Sequence, residues 1–128
     1  MSNIQSPEQR RELLGNLHAL SDPVYQQRVW VEGLPWGSVQ HDEFGYAVHF
    51  FFDDSTLKED PHGNVGWMLV DANEARLVTA VIVAIDAILE KYGNRLKDSE
   101  YIALPEWVGV VEAAKAALSI MPDRQQMP

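Results

Sequence analysis

The segment "DANEARLVTAVIVAIDAILEKYG", residues 71–93, decides the fold class of this chain. Asp71 is a good N-cap residue with Glu74 three positions on, and Gly93 supplies a helix stop. Between these signals the polar positions form only a narrow stripe, made by Arg76, Thr79, Asp86 and Glu90. A helix that is apolar on its remaining sides has to be packed against other elements. The segment therefore predicts a long helix at the centre of a helical core.

Further helix signals lie on both sides of this segment. Near the N-terminus, Ser6 can cap a helix and Pro7 suits its first position. Leucines follow at helical spacing, at Leu13, Leu14, Leu17 and Leu20. A second Asp-Pro start at residues 22–23 opens "PVYQQRVWVE", and Pro105 opens "PEWVGVVEAAKAALSIM". These patterns predict three more helices.

The segment "EFGYAVHFFFD", residues 43–53, is ambiguous. Phe44, Val48, Phe51 and Phe52 fall on one helical face, which favours a helix, whereas Gly45 and the β-prone residues around it also permit a strand. The sequence predicts an all-α, compact single domain of about five helices over residues 1–121, with a frayed tail at 122–128. The alternative is an α+β fold with short strands near 45–53 and 65–70.

Composition excludes several classes of protein. The chain of 128 residues has no cysteine, so disulfides, thiol chemistry and cysteine metal ligands are excluded. The N-terminal residues have no apolar signal core, and the longest apolar run, "LVTAVIVAIDAIL", is too short to span a bilayer. We therefore expect a cytoplasmic protein without membrane contact.

Negative charge is concentrated in the middle third of the chain. The net charge is −9, and residues 33–75 account for −7 of it, with eight carboxylates against Lys58 alone. Such a field repels nucleic acid and anionic lipid and attracts cationic surfaces. The pattern favours a basic protein partner, although acidity that serves only solubility is the alternative.

Two groups of residues are candidates for binding such a partner. Charge complementarity would come from Asp42, Glu43, Asp53, Asp54, Glu59 and Asp60. Trp36 and Tyr46 are the candidate aromatic anchors, because aromatic side chains carry much of the binding energy at interfaces. Trp36 stands between Pro35 and Gly37 in a predicted loop, where exposure is expected.

Two other function classes remain open as rivals. His49 and Asp53 are four residues apart and His62 follows nearby, which suggests a metal-binding protein or a small hydrolase. However, the chain has no H-E-x-x-H motif, calcium loop, phosphate loop or G-x-S-x-G motif. We therefore predict no catalytic residue, cofactor or metal, and a non-enzymatic binding protein. The second rival is an acidic assembly or scaffold subunit.

Four stretches carry a resemblance to a known group of proteins: "YQQRVWVEGLPWG", "VHFFFDDSTLKEDP", "VGWMLVDANEA" and "EYIALPEWVGVVEAA". Over roughly residues 25–118 the chain resembles small acidic bacterial immunity proteins of polymorphic toxin systems, including contact-dependent growth inhibition. The resemblance implies a cytoplasmic protein that binds its cognate toxin domain, often a nuclease such as an RNase, and occludes its basic cleft. It carries over no established functional residue.

Overall fold

The computed structural model describes residues 4–121, so the tail predicted at 122–128 lies outside the described residues. The helices are α1 (Pro7–Ser21), α2 (Pro23–Tyr25), α3 (Phe44–Phe52), α4 (Ala72–Tyr92), α5 (Asp98–Tyr101) and α6 (Trp107–Leu118). A π-helix over Gln26–Val31 continues α2, and a 3-10 turn covers His62–Asn64. This part of the chain contains no strand, which confirms the prediction of an all-α, compact single domain.

The long helix α4 forms where it was predicted, but α6 is the helix that packs against both α1 and α4. One face of α4 is buried, at Ala75, Val78, Val81, Ile82, Ile85 and Ile88. Partly buried apolar side chains also pack against the core, at Leu77, Ala84, Leu89 and Tyr92. The exposed apolar positions are alanines and Val83, which is 61% exposed, and an exposed helix face tolerates such small side chains. No helix between residues 4 and 121 combines the length and apolar character needed to cross a membrane.

Both segments of the α+β alternative lack a strand. Residues 44–52 form α3, and residues 65–70 contribute only an isolated bridge between Val65 and Leu69. Residues 44–52 form a helix and not a strand because the helix packs their buried aromatic rings against aromatic side chains of the core. The Phe44 ring lies 5.0 Å from Trp107 and 5.8 Å from Trp30, as measured between ring centroids. The final helix begins at Trp107, two residues after the predicted start at Pro105.

The second predicted helix widens into a π-helix after Tyr25, and the buried Gln26 begins this segment. The Gln26 amide nitrogen donates to the carbonyls of Ala19 and Leu20, both at 2.9 Å. Its carbonyl oxygen accepts a bond of 2.9 Å from the Trp107 indole. Gln26 thus satisfies carbonyls at the end of α1 and joins that end to α6. No sequence period predicts the bond between Gln26 and Trp107, because these residues are 81 positions apart along the chain.

A buried ion pair links α1 to the start of α4. Arg10 Nη1 and Nη2 donate to the two carboxylate oxygens of Glu74 at 2.8 and 3.0 Å, and both side chains are almost fully buried. Arg10 also donates to the Met68 carbonyl, and Glu74 accepts from the Val70 amide. A buried ion pair is tolerated only when its remaining polar atoms are also bonded, and these atoms are. Glu74, counted above with the acidic middle third, is therefore neutralised inside the protein.

The variant Glu74→Gln should lower the free energy of unfolding by about 3–5 kcal/mol, because it leaves the Arg10 charge buried without a counter-charge. Urea unfolding followed by circular dichroism measures the change. Arg11→Gln, one position along on the exposed side of α1, is the matched control and should stay within about 0.5 kcal/mol of the parent. A Glu74→Gln loss as small as the control's would contradict the account. The double variant Arg10→Met with Glu74→Met should recover much of the loss.

Candidate functional site

The exposed side of α3 carries several of the residues predicted to bind a partner. Phe44, Ala47, Phe50 and Phe51 face the core. On the opposite side, Glu43, Tyr46, His49 and Asp53 follow one another at intervals of three or four residues, and all are exposed. We call this row, together with the adjacent Asp54, the α3 ridge. The ridge places the aromatic ring of Tyr46, which is 49% exposed, between carboxylates.

Two histidine–carboxylate pairs lie along the α3 ridge. His49 Nδ1 is 2.8 Å from Asp53 Oδ2, and His41 Nε2 is 3.1 Å from Glu43 Oε2. The His41 ring also meets the Tyr46 ring edge-on, with centroids 5.8 Å apart. Exposed pairs of this kind contribute little to folding stability. Their side chains remain accessible to a partner.

Asp42 lies beside the ridge but is bonded within the fold. Its Oδ2 accepts from the Tyr25 hydroxyl at 2.8 Å and from the Trp30 indole at 3.0 Å. Burial raises the pKa of Tyr25, and the adjacent Asp42 carboxylate raises it further. The Tyr25 ring meets the Trp36 ring edge-on at 5.3 Å, so Trp36, 38% exposed, lies near the same end of the ridge. The structure therefore gives Asp42 a structural role in holding the loop, while Trp36 is exposed as predicted.

The start of α3 is capped by a residue from another helix. Glu43 occupies the N-cap position without bonding through its side chain, and Asp98 of α5 accepts the Phe44 amide at 3.1 Å instead. Partial burial raises the pKa of Asp98, and the charges of Glu43 and Asp42 raise it further, while the bond from Phe44 opposes the change. Three carboxylates thus meet at the positive end of the α3 dipole, where negative charge is favourable.

Asp53 and Asp54 occupy the opposite, unfavourable end of α3. Both backbone amides donate to the His49 carbonyl, at 2.9 and 2.8 Å, which places their carboxylates directly after the last helical turn. The end of a helix carries partial negative charge, so an acidic residue there costs about 0.3–1 kcal/mol. His49 offsets part of this cost for Asp53. Among residues 4–121, the Asp54 carboxylate has no bonded partner.

The loop after α3 exposes the remaining two predicted carboxylates. Glu59 is exposed, and Asp60 Oδ1 accepts the Gly63 amide at 3.0 Å, which makes a local turn. Lys58 directly precedes them in sequence, but its amine lies over the Phe52 ring and 3.9 Å from Asp86 of α4. The cation is therefore drawn toward α4 and leaves its acidic neighbours in the loop unneutralised.

Trp67 and Val65 are exposed apolar residues that the sequence reasoning did not select. Trp67 is 44% exposed and Val65 is 40% exposed. Their loop is rigid because the carbonyl of the buried Asn64 accepts three amides, from Trp67, Met68 and Leu69. A signal was available in the sequence. Gly66 directly precedes Trp67 and Gly63 lies three residues before Gly66, so the reasoning applied to Trp36, which Gly37 follows, applies to Trp67 as well.

The candidate metal ligands His49, Asp53 and His62 do not come together as a metal site in the described part of the chain. His49 and Asp53 approach each other, but the part of the chain that the structure describes holds no group of three His, Asp or Glu side chains arranged for a metal ion. His62 is exposed at the start of the 3-10 turn and does not complete a ligand set with them. Two ligands on a helix face are too few for the four-coordinate sites typical of zinc.

The raised pKa of Asp98 predicts a specific dependence of stability on pH. Because the folded state holds this proton more tightly than the unfolded chain does, Asp98 loses stabilisation as pH rises from its ordinary pKa of 3.8 toward the raised folded value. Asp98→Asn keeps an oxygen acceptor for Phe44 and does not titrate. Its stability relative to the parent should therefore increase as pH rises from below the ordinary pKa of 3.8 toward neutral pH, as measured by urea unfolding. A relative stability that falls over this range would contradict the assignment.

Comparison with known proteins gives a family without an assigned activity. Neither the curated proteins nor the solved structures gave a significant match to the chain. The sequence profile of the domain of unknown function DUF7945 matches residues 4–126, which is nearly the whole chain. The protein therefore belongs to the DUF7945 family.

Proposed function

We propose that this protein binds a basic protein partner and inhibits it, and that the partner is a toxin domain of the nuclease class, such as an RNase. The observation that carries the proposal is the position of Asp53 and Asp54 after the last turn of α3. These carboxylates stand against the unfavourable, negative end of the helix dipole, and among the described residues only that of Asp53 has a histidine partner. A cost in stability that internal contacts do not fully offset is common where a residue serves binding.

Acidity for solubility alone does not account for this placement. Solubility depends on total charge and can be met by carboxylates at sites that cost the fold nothing. The eight acidic residues of the middle third divide into two groups. Glu74 is buried, Asp71 and Asp42 are half-buried, and all three are bonded within the protein. The other five are exposed and form the part of the charge available to a partner: Glu43, Asp53, Asp54, Glu59 and Asp60.

Electrostatic attraction between this surface and a basic cleft would act mainly on the rate of association. Long-range steering raises association rates at low salt, and close ion pairs then favour the cognate partner over others. Anchors are needed as well, because exposed charges alone contribute little affinity. Tyr46 on the ridge and Trp67 on its rigid loop supply accessible aromatic area at low entropic cost. The resemblance to immunity proteins supports a toxin domain as the partner.

The double variant Asp53→Lys with Asp54→Lys should slow association with the partner by about tenfold or more at low salt, and by less at physiological salt. The partner is first captured from the source cells at low salt, identified and purified, and the rates are then measured by surface plasmon resonance. The matched control is Glu12→Lys with Glu90→Lys, which changes total charge equally at exposed positions on α1 and α4. Its association rate should fall much less.

Equal slowing in the two double variants would show that only total charge matters and would remove the α3 ridge from the interface. In the same surface plasmon resonance experiment, Trp67→Ala should raise the dissociation rate while leaving the association rate nearly unchanged.

Inhibition of the partner is tested separately. A purified nuclease partner should lose its activity at a one-to-one ratio with the parent protein, and a partner that remains fully active in the complex would contradict the inhibitor assignment.

A further inference from the structure

A second exposed surface runs along α2 and the π-helix. Val24 is 66% exposed and Leu34 is 43% exposed, although both are large apolar side chains. They line a shallow, open groove of about 410 Å³. The groove is formed by Pro23, Val24, Gln27, Arg28, Glu32 and Leu34. π-Helical segments are rare and frequently occur at functional sites.

The charges of this groove differ from those of the rest of the molecule. Arg28 and Glu32 are its only charged residues, so the lining is neutral in a chain whose net charge is −9. Within residues 4–121, Arg28 takes part in no ion pair, whereas Glu32 accepts a bond of 3.0 Å from the Gln27 amide. The groove therefore offers an accessible guanidinium, an accessible carboxylate and the exposed apolar side chains of Val24 and Leu34.

We propose that this groove is the contact surface for a second copy of the same chain, related by a two-fold axis. In a two-fold contact the same surface of both copies forms the interface. Any contact between two different positions therefore occurs twice, once in each direction. Arg28 of each copy would then face Glu32 of the other, and the side chains of Val24 and Leu34 would be buried between them. A surface that carries one cation and one anion is complementary to itself in this arrangement.

Charge also decides which surface two copies can share. Each chain carries a net charge of −9, so contacts between acidic faces are opposed by repulsion. The groove lining has no net charge, so its burial adds no local repulsion to that between the two net charges. A basic protein would be drawn instead to the exposed carboxylates of the α3 ridge. The two surfaces therefore suit different partners.

The two contacts should respond to salt in opposite directions. Screening weakens attraction to a basic partner, but it relieves repulsion between two acidic copies. Self-association should therefore strengthen as the Debye length falls from about 30 Å at about 10 mM salt to about 8 Å at about 150 mM. Failure of this inference leaves the proposed function untouched, because the self-association experiment uses the free protein alone.

The test is sedimentation equilibrium of the purified protein, up to about 1 mM, since small open interfaces give weak complexes. Arg28→Glu and Glu32→Arg should each weaken self-association by about tenfold or more, because like charges then face one another twice. An equimolar mixture of these two variants should associate as the parent does, since the mixed pair restores both opposite-charge contacts. Both variants remain net negative, so attraction between whole molecules does not explain such rescue.

Three results would overturn the inference. One is a parent protein that stays monomeric over the whole concentration range at both salt concentrations. Another is a mixture of the two variants that associates no better than either variant alone. The third is undiminished self-association in Val24→Asp, which places a charge on the groove wall. Circular dichroism and thermal unfolding of each variant confirm that it is folded before it is compared.

Discussion

The buried ion pair between Arg10 and Glu74 is the constraint on which the rest of the structure depends. It joins the first turns of α1 and α4. Arg10 also donates to the Met68 carbonyl and Glu74 accepts from the Val70 amide, so the pair also holds residues 68–70, just before α4. That segment ends the loop that presents Val65 and Trp67. Both side chains are almost fully buried, so neither can lose its partner without a large penalty. The exposed loop is therefore joined to a buried contact.

Carboxylates perform three different tasks in this small domain. Glu74 is a buried counter-charge, Asp42 and Asp98 accept bonds that hold α3 and its preceding loop, and Asp53 and Asp54 are left at the end of α3. In the first two tasks the carboxylates are bonded within the fold, which removes charge from the accessible surface. The third opposes folding stability. Only that third group is explained better by an external partner than by the protein itself, and it forms one continuous surface with Tyr46.

Sequence patterns predicted the helices well because capping residues and apolar spacing are local. Ser6 and Asp71 both cap as expected, and the exposure of Trp36 follows from its loop. Long-range contacts could not be read in the same way. Nothing near Arg10 in sequence identifies Glu74, 64 positions away, as its partner. The same limit applies to the binding surface, since total charge in a segment does not separate bonded carboxylates from free ones. Trp67 was missed as an exposed residue although Gly66 directly before it and the nearby Gly63 are loop signals.

The central claim is that Asp53 and Asp54 are kept at the end of α3 at a cost to the fold. The most direct measurement is the free energy of unfolding of the double variant Asp53→Asn with Asp54→Asn, determined in urea at low salt and neutral pH. Removal of both charges from the negative end of the helix should raise stability by about 0.5–2 kcal/mol. An unchanged or lower free energy of unfolding would show that these carboxylates cost the fold nothing, and it would remove the main support for a binding role.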